Sequence, residues 1–476
     1  MSFDAEGFGQ VKEYHNLDRE LCNRTPPSQI GFRQDACAAQ QSVALDSRPG
    51  VRDRQNSMSA SHLAVLGQDQ CGDSLQAWNV LALITGHFFP HCRLSIKESD
   101  TAGATISNGI IISAKKTKNG SARRVENALM FLRNYWYVAA TEAEIGRKPL
   151  GRMILGDPIV LFRAEDGTPV AFEDRCPHRH LPLSMGKLVG DTLQCLYHGL
   201  RFARDGHCVY IPGQEQIPQA AKVRCYPVVE RYHWIWIWLG DPTLADPAAI
   251  TDFHWLDDPN WGAKGAYLHV EANWQLVVDN LLDLTHLAFV HDTTIGNLAL
   301  AEHAKVKVAR TRDGVVVTRW IIDQEPPPTF KKVGGFQGNV DRWQIIDFTP
   351  PAFLRLDVGA TPTGTGAPEG RRVGGITMRN LNAITPETET TSHYFWGQAH
   401  DFDVNNPETT NKIFEQIQTA FLEDVAVFSA QQRNLNLIQN PPQIDIAADA
   451  GAIQARRILA RLYGEEQPRA RDAAAE

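Results

Sequence analysis

The sequence predicts an α+β chain in which an antiparallel β-domain is followed by a region that mixes strands with helices. Three observations carry this prediction. From Met130 onward, short apolar runs alternate with turn dipeptides, as in MILGDPIVLFR, EDGTPVAFED, DTLQCLYHG and RDGHCVY, the rhythm of antiparallel strands joined by tight turns. Beyond residue 240, strand-like runs such as GVVVTRWIID and GGITMRNLNAI are bracketed by segments with a helical repeat. The first 129 residues hold only seven of the 41 aromatic residues, which sets them apart from both regions.

Taken in order, residues 1–129 are rich in Gln, Ser, Asp and Arg, and carry no sustained period of 3.6 or 2.0 outside a short stretch near Leu75–Leu83. They are expected to be a disordered extension or the product of an over-long reading frame, because Met130 opens the aromatic, domain-like stretch FLRNYWYVAATEAEIG. Residues 130–240 are expected to form the β-domain. Its closing strand is HWIWIWLGDP, which alternates Trp with Ile and stops at Gly240, Asp241 and Pro242. Residues 241–464 begin with a Pro- and Asp-rich connector and hold two helical segments, WQLVVDNLLDLTHLAFVH and TTNKIFEQIQTAFLEDVAVFSAQQRNL. The second places Ile413, Ile417, Phe421 and Val425 at four-residue steps on one face. Residues 465–476 are expected to be a frayed tail.

Composition removes several function classes. With 47 basic against 55 acidic residues, a net charge of −8 and a pI near 6.1, no basic field exists to hold nucleic acid or anionic lipid. No apolar run approaches the roughly 20 residues that cross a bilayer. The opening MSFDAEGFGQVKEYHNLDRE lacks the basic start and apolar core of a secretory signal, so a cytoplasmic protein is expected. There, eight cysteines in 476 residues speak for metal binding or catalysis rather than a disulfide scaffold.

The strongest chemical signal is Cys176-Pro-His178, sixteen residues, then Cys195-Leu-Tyr-His198. Two thiolates and two imidazoles on neighbouring turns can serve one metal centre, and zinc is the first competing reading because it accepts two Cys and two His. The spacing argues against zinc. Common zinc clips pair Cys with Cys and His with His, whereas a mixed clip repeated twice suits a two-iron cluster in which one iron takes both sulfurs and the other both imidazoles, the Rieske arrangement. Pro177, Gly186 and Gly199 can supply the tight turns such loops require.

Through CPHRHLPLSMG and CLYHGLRF the sequence resembles the Rieske non-haem iron oxygenases, over essentially Leu132 to Tyr463. The leucine after the glycine of YHGLRF, with NYWYVAATEAEI near the start, is similar to the vanillate O-demethylase oxygenase branch. The resemblance implies an N-terminal Rieske β-domain and a catalytic domain of curved antiparallel sheet plus helices. It also implies a homotrimer arranged head to tail, a Rieske [2Fe-2S] cluster held by Cys176, His178, Cys195 and His198, a mononuclear non-haem Fe(II), and O2 as cosubstrate.

The second constellation is Asn280, Asp283, His286 and His291. On one helix, positions 280, 283 and 286 share a face, so Asp283 can reach His286. His286 and His291 lie about 140° apart on an ideal helix, so a shared metal requires the helix to bend or end between them. Non-haem iron that activates dioxygen takes two imidazoles and one carboxylate on one face. FLEDVAVFSAQQR offers Glu423 and Asp424; the resemblance makes Asp424 the ligand, with Glu423 its rival. It also makes Asp283 a carboxylate bonded to a liganding histidine and bridging to a neighbouring subunit's Rieske histidine. For Asn280, a role in shaping the site and a plain helix-surface amide are equal readings.

No flavin or nicotinamide fingerprint is present, so electrons are expected from a separate NAD(P)H-dependent reductase. The expected reaction is oxidation of a small aromatic acid, with O-demethylation of vanillate or a similar methoxyarene first and hydroxylation of a methyl group or ring as the alternative. In demethylation, hydroxylation of the methyl group gives a hemiacetal that collapses to phenol and formaldehyde. A Rieske electron carrier without catalysis needs neither the second constellation nor the residues beyond the β-domain, and a zinc-stabilised binding protein explains neither motif.

Overall fold

Tight turns and strict alternation shape the first domain. The computed structural model describes residues 106–107, 110–111, 131–291, 305–438 and 442–473. All belong to one of the two units into which the chain divides; the other, Val11–Gly103, contains none of them. The expectation for residues 1–129 therefore lies outside the described residues, apart from a small hairpin of β1 (Ile106–Ser107) and β2 (Ile110–Ile111).

The β-domain runs through β3 (Trp136–Thr141), β4 (Leu150–Ile154), β5 (Asp157–Arg163), β6 (Pro169–Glu173), β7 (Lys187–Val189), β8 (Thr192–Gln194), β9 (Arg201–Phe202), β10 (Cys208–Tyr210), β11 (Cys225–Tyr226), β12 (Val228–Arg231) and β13 (Trp234–Trp238). They form three antiparallel sheets, ordered β10-β9-β8-β7, β11-β6-β5-β4 and β12-β13-β3. The last strand thus pairs with the first, which closes the domain. Strand periodicity explains the WIWIW run. Trp234, Trp236 and Trp238 point to one face with Phe253, Phe353 and Phe395, while Ile235 and Ile237 point to the other with Tyr137 and Leu161. Both faces are buried, so Trp236→Ala is expected to cost about 3–5 kcal/mol. The β4–β5 turn uses Leu155 and Gly156, both at positive φ (50° and 76°), which matches the twist of a two-residue hairpin. Leu155 tolerates that conformation because both turn N–H groups donate, at 2.9 Å, to the carbonyls of Pro386 and Glu387.

The second domain begins with β14 (Gly262–Val270), α1 (Trp274–Leu282) and α2 (Leu287–Val290), followed by β15 (Lys305–Arg310), β16 (Val315–Gln324) and α3 (Pro328–Gly334). Strands β17 (Val340–Thr349), β18 (Phe353–Pro362), β19 (Ile376–Pro386) and β20 (Ser392–His400) then lead to α4 (Pro407–Leu437) and α5 (Ala450–Ala473). One antiparallel sheet of order β14-β20-β19-β18-β17-β16-β15 results. Its even-numbered positions on β17–β20, among them Ile346, Phe348, Leu354, Ile384, Tyr394 and Trp396, join the core with Val277, Leu281, Phe421, Phe428 and Ile458 of the helices. The opposite face, through Phe353, Leu381, Ala383 and Phe395, packs on the tryptophans of β3 and β13. The fold class is α+β, as the alternation of strand and helix patterns predicts.

Two local expectations change. The helix expected through His291 breaks at Asp283, whose φ of −124° and ψ of 104° are extended; a 3₁₀ turn over Leu284–His286 and the short α2 follow. The expected frayed tail is helical to Ala473 within α5. Its Glu466 is held because its carboxylate accepts the backbone N–H groups of Arg133 (3.0 and 3.1 Å) and Asn134 (2.6 Å) at the start of the β-domain, a tertiary contact that composition does not reveal.

Candidate metal centres

The Cys-x-His and Cys-x-x-His loops are built alike. In the first, Cys176 N–H donates to Leu181 O (2.9 Å) and His180 N–H returns to Cys176 O (2.9 Å); in the second, Cys195 N–H donates to Leu200 O (2.8 Å) and Gly199 N–H returns to Cys195 O (3.1 Å). Each loop turns through positive φ at the same step, 59° at His180 and 75° at Gly199. Gly186 lets the loops approach: a Cβ there would stand 2.1 Å from the carbonyl of Gln194, the residue before Cys195.

This geometry sorts the four side chains by chemistry. Cys176 and Cys195 are buried in an apolar cluster with Val160, Phe172, Leu193 and Phe202, whereas His178 and His198 are exposed, their ring centroids 4.5 Å apart. Burial, with Cys195 beside it, pushes the Cys176 thiol up to about 11, so that sulfur becomes a thiolate at neutral pH only when a cation compensates it. Two paired thiols beneath two paired imidazoles fit a cluster in which one iron takes sulfur and the other nitrogen. Cys208 and Cys225 are free thiols outside the loops.

The second centre is assembled from α1, α2 and α4. His286, His291 and Asp424 offer ligand atoms that all lie within 4.8 Å of one another. Asp424 Oδ1 stands 3.6 Å from His286 Nε2 and 3.2 Å from His291 Nε2. The other ring nitrogens face acceptors: His286 Nδ1 meets the carbonyl of Asp283 at 2.6 Å, and His291 Nδ1 meets Glu423 Oε2 at 2.6 Å. An acceptor at Nδ1 fixes the proton there and leaves Nε2 with its lone pair directed inward, the tautomer a metal ligand needs. Burial holds His286 below its usual pKa, which also favours the neutral ring. Burial depresses His291 too, but the Asp424 and Glu423 carboxylates outweigh it and raise its pKa. Two imidazoles and a buried carboxylate converging in this way fit a mononuclear iron.

The helix break decides how Asp283 acts. Its backbone carbonyl, released from the helical ladder, binds His286, while its carboxylate caps the next turn by accepting from Thr285 N (2.9 Å) and Oγ1 (2.7 Å). The expected side-chain bond from Asp283 to His286 is thus replaced by a main-chain one. Asn280 donates Nδ2 to Asp424 Oδ1 at 3.2 Å, and its own buried Oδ1 has no partner among the described residues, so it faces the site rather than solvent. Glu423 and Asp424 both belong to the centre, one toward the outer nitrogen of His291 and one toward the inner. Sequence reasoning missed Arg319, which is 3% exposed and stands 3.6 Å from Asp283 Oδ1. Its signal was an arginine at an inward position of VVVTRWIID, flanked by Val317 and Ile321 two residues away on either side.

Comparison with known proteins follows the same division. Residues 135–227 match the Rieske [2Fe-2S] domain and residues 270–465 the vanillate O-demethylase oxygenase C-terminal domain. The chain is 47% identical over 342 residues to the iron–sulfur subunit of the toluene-4-sulfonate monooxygenase system of Comamonas testosteroni, covering 71% of this chain and 98% of that one. It is 39% identical over 348 residues to a vanillate O-demethylase oxygenase subunit of a Pseudomonas species, covering 71% and 96%. A crystal structure of dicamba monooxygenase with non-haem iron and dicamba superposes with a TM-score of 0.62 at 35% identity, over 71% of this chain and 99% of that one.

Proposed function

Because the chain belongs to the Rieske oxygenases of the vanillate O-demethylase oxygenase type, we propose that it attacks the methyl or methoxy carbon of a small anionic arene. It is a terminal oxygenase component, an O2-dependent oxidoreductase with a Rieske [2Fe-2S] cluster and a mononuclear iron, in a system that requires a reductase. The convergence of His286, His291 and Asp424 carries the proposal. In this reading Cys176, Cys195, His178 and His198 hold the cluster, and those three residues hold the iron. The cluster supplies single electrons and the iron activates dioxygen. The chain's own groups prepare the site: Asp283 O and Glu423 hold the outer protons of the two imidazoles, and Asn280 fixes the Asp424 carboxylate.

O-demethylation of vanillate or a related methoxyarene is supported by the matched C-terminal domain and by the vanillate and dicamba O-demethylase relatives. Hydroxylation of an aryl methyl group is favoured by the higher identity to the toluene-4-sulfonate system. Chemical reduction of the iron-loaded protein, removal of reductant and admission of O2 with methoxy- and methylarene acids separates them. Formaldehyde with a phenol supports demethylation, a benzylic alcohol supports methyl hydroxylation, and no product from either class sinks the proposal.

A cytoplasmic homotrimer fed by an NAD(P)H-dependent reductase completes the reading. Exposed Leu196 (61%) and Tyr197 (63%) sit on the second cluster loop beside exposed His198, an apolar rim suited to a second copy of this chain. Asp283 would then carry the electron from a neighbour's His178 or His198 toward His286. Co-expression of Cys176→Ser chains with Asp424→Ala chains tests this: head-to-tail transfer restores activity to about a quarter of wild type in a random ring, and no recovery in a mixed oligomer rejects it.

A further inference from the structure

The sheet face beneath the helices carries two buried arginines with different surroundings. Alternation along β16 and β17 puts Arg319 and Arg342 on the face that also holds Val317, Ile346 and Phe348. They stand in adjacent rows: Arg319 opposite Gln344, and Arg342 opposite Ile321 and Ala360. Arg319 has Asp283 as a counter-charge. Arg342 is 6% exposed, yet meets no carboxylate among the described residues; its guanidinium lies over the Phe330 ring, 4.8 Å from the centroid, and its buried Nε has no acceptor. Burial alone pulls its pKa down to about 10, which leaves it charged at neutral pH. A buried cation without a counter-charge is unfavourable, so an anion that reached it would relieve that cost.

The same sheet face packs against the segments that carry the iron site: Ile321, the partner of Arg342 across the strands, shares a buried cluster with Leu284, Leu287 and Phe421. Phe330, Ala360, Ile376, Met378 and Ile413 form one apolar cluster, on which Ile417 packs. Ile417 precedes Asp424 on α4 by two turns, about 10 Å of axis, so the cluster beside Arg342 and the Asp424 carboxylate share one helix. We propose that Arg342 is the counter-ion for the carboxylate or sulfonate of the substrate, holding the ring so that its methyl or methoxy carbon faces His286, His291 and Asp424. The planar fork of arginine matches either oxyanion with two parallel N–H donors, and Phe330 keeps the fork in register. This assignment rests on the proposed oxidation of an anionic arene at that centre.

The test measures equilibrium binding to the holoenzyme by calorimetry, with toluene-4-sulfonate, 4-methoxybenzoate and the neutral toluene-4-sulfonamide as probes. Arg342→Met keeps the stem and removes the charge; cluster absorbance and circular dichroism check that it folds. The expected result is about 10- to 100-fold weaker binding of the anions, little change for the sulfonamide, and partial recovery in Arg342→Lys. Loss for one anion alone identifies carboxylate or sulfonate as the group held. Equal loss for charged and neutral probes, or unchanged anion binding, overturns the assignment. Should wild type oxidise the anions in a single turnover while Arg342→Met binds them normally, only the role of Arg342 falls. Should wild type neither bind nor oxidise any anionic arene, both readings fall.

Discussion

The cluster loops and the iron site solve the same problem, presenting ligands to iron, by opposite means. Each cluster loop closes on itself through bonds between residues four and five apart, such as His180 N–H to Cys176 O and Cys176 N–H to Leu181 O. The iron site has one local bond, from His286 Nδ1 to Asp283 O, and is otherwise joined across long stretches of chain. Asp424 receives Asn280 across 144 residues, and Glu423 holds His291 across 132. A contiguous motif can therefore specify one centre, whereas the other exists only once α1 and α4 have packed on the same sheet face.

That contrast predicts separable failures. The largest effect is expected for Asp424→Ala: turnover falls by at least about 100-fold and iron analysis drops from three to two per chain, while the visible cluster spectrum persists. Retention of all the iron would move the ligand assignment to Glu423. Asp283→Asn follows, because the amide leaves the main-chain carbonyl on His286 but removes the charge beside Arg319. Both metals are expected to stay and turnover to fall about 10- to 100-fold; stopped-flow reoxidation of the reduced cluster at a normal rate would discredit its role in electron transfer.

A smaller effect is expected from Glu423→Gln. The amide oxygen can still accept from His291 Nδ1, so iron affinity falls about 10-fold, measured by competition with a chelator, with the cluster untouched. Equal loss of cluster and iron would show that the two centres are not independent. The smallest effects test loop symmetry. His180→Gly at φ 59° is expected to stabilise the first loop by up to about 1 kcal/mol, and Gly199→Ala at φ 75° to destabilise the second by about 1–2 kcal/mol. A Cβ at Gly199 would also press on Pro212 Cγ at 3.0 Å. Opposite shifts in thermal midpoint check this; shifts of the same sign would break the symmetry.

Much of the fold was legible because its signals are periodic. The Trp and Ile alternation of residues 234–238 marks a strand buried on both faces, and the four-residue steps of Ile413, Ile417 and Phe421 mark α4. The helical span through His291 was over-extended because nothing in DNLLDLTH forbids a helix; the break at Asp283 follows from tertiary packing and the capping bonds to Thr285. The order of the tail was hidden for a related reason, since the carboxylate of Glu466 finds its donors at Arg133 and Asn134, at the far end of the domain sequence.

The sequence by itself determined which chemistry is available: two thiols and two imidazoles in paired loops, two histidines, and neighbouring carboxylates late in the chain. Spacing suffices there because each loop's geometry is set by its own backbone. Only the tertiary structure decided which atom of Asp283 holds His286, which nitrogen of His291 each of Glu423 and Asp424 faces, and that Arg319 has a counter-charge while Arg342 has none among the described residues. Those are distances between residues far apart in the chain, and they are fixed by the packing of helices on a sheet rather than by any local preference.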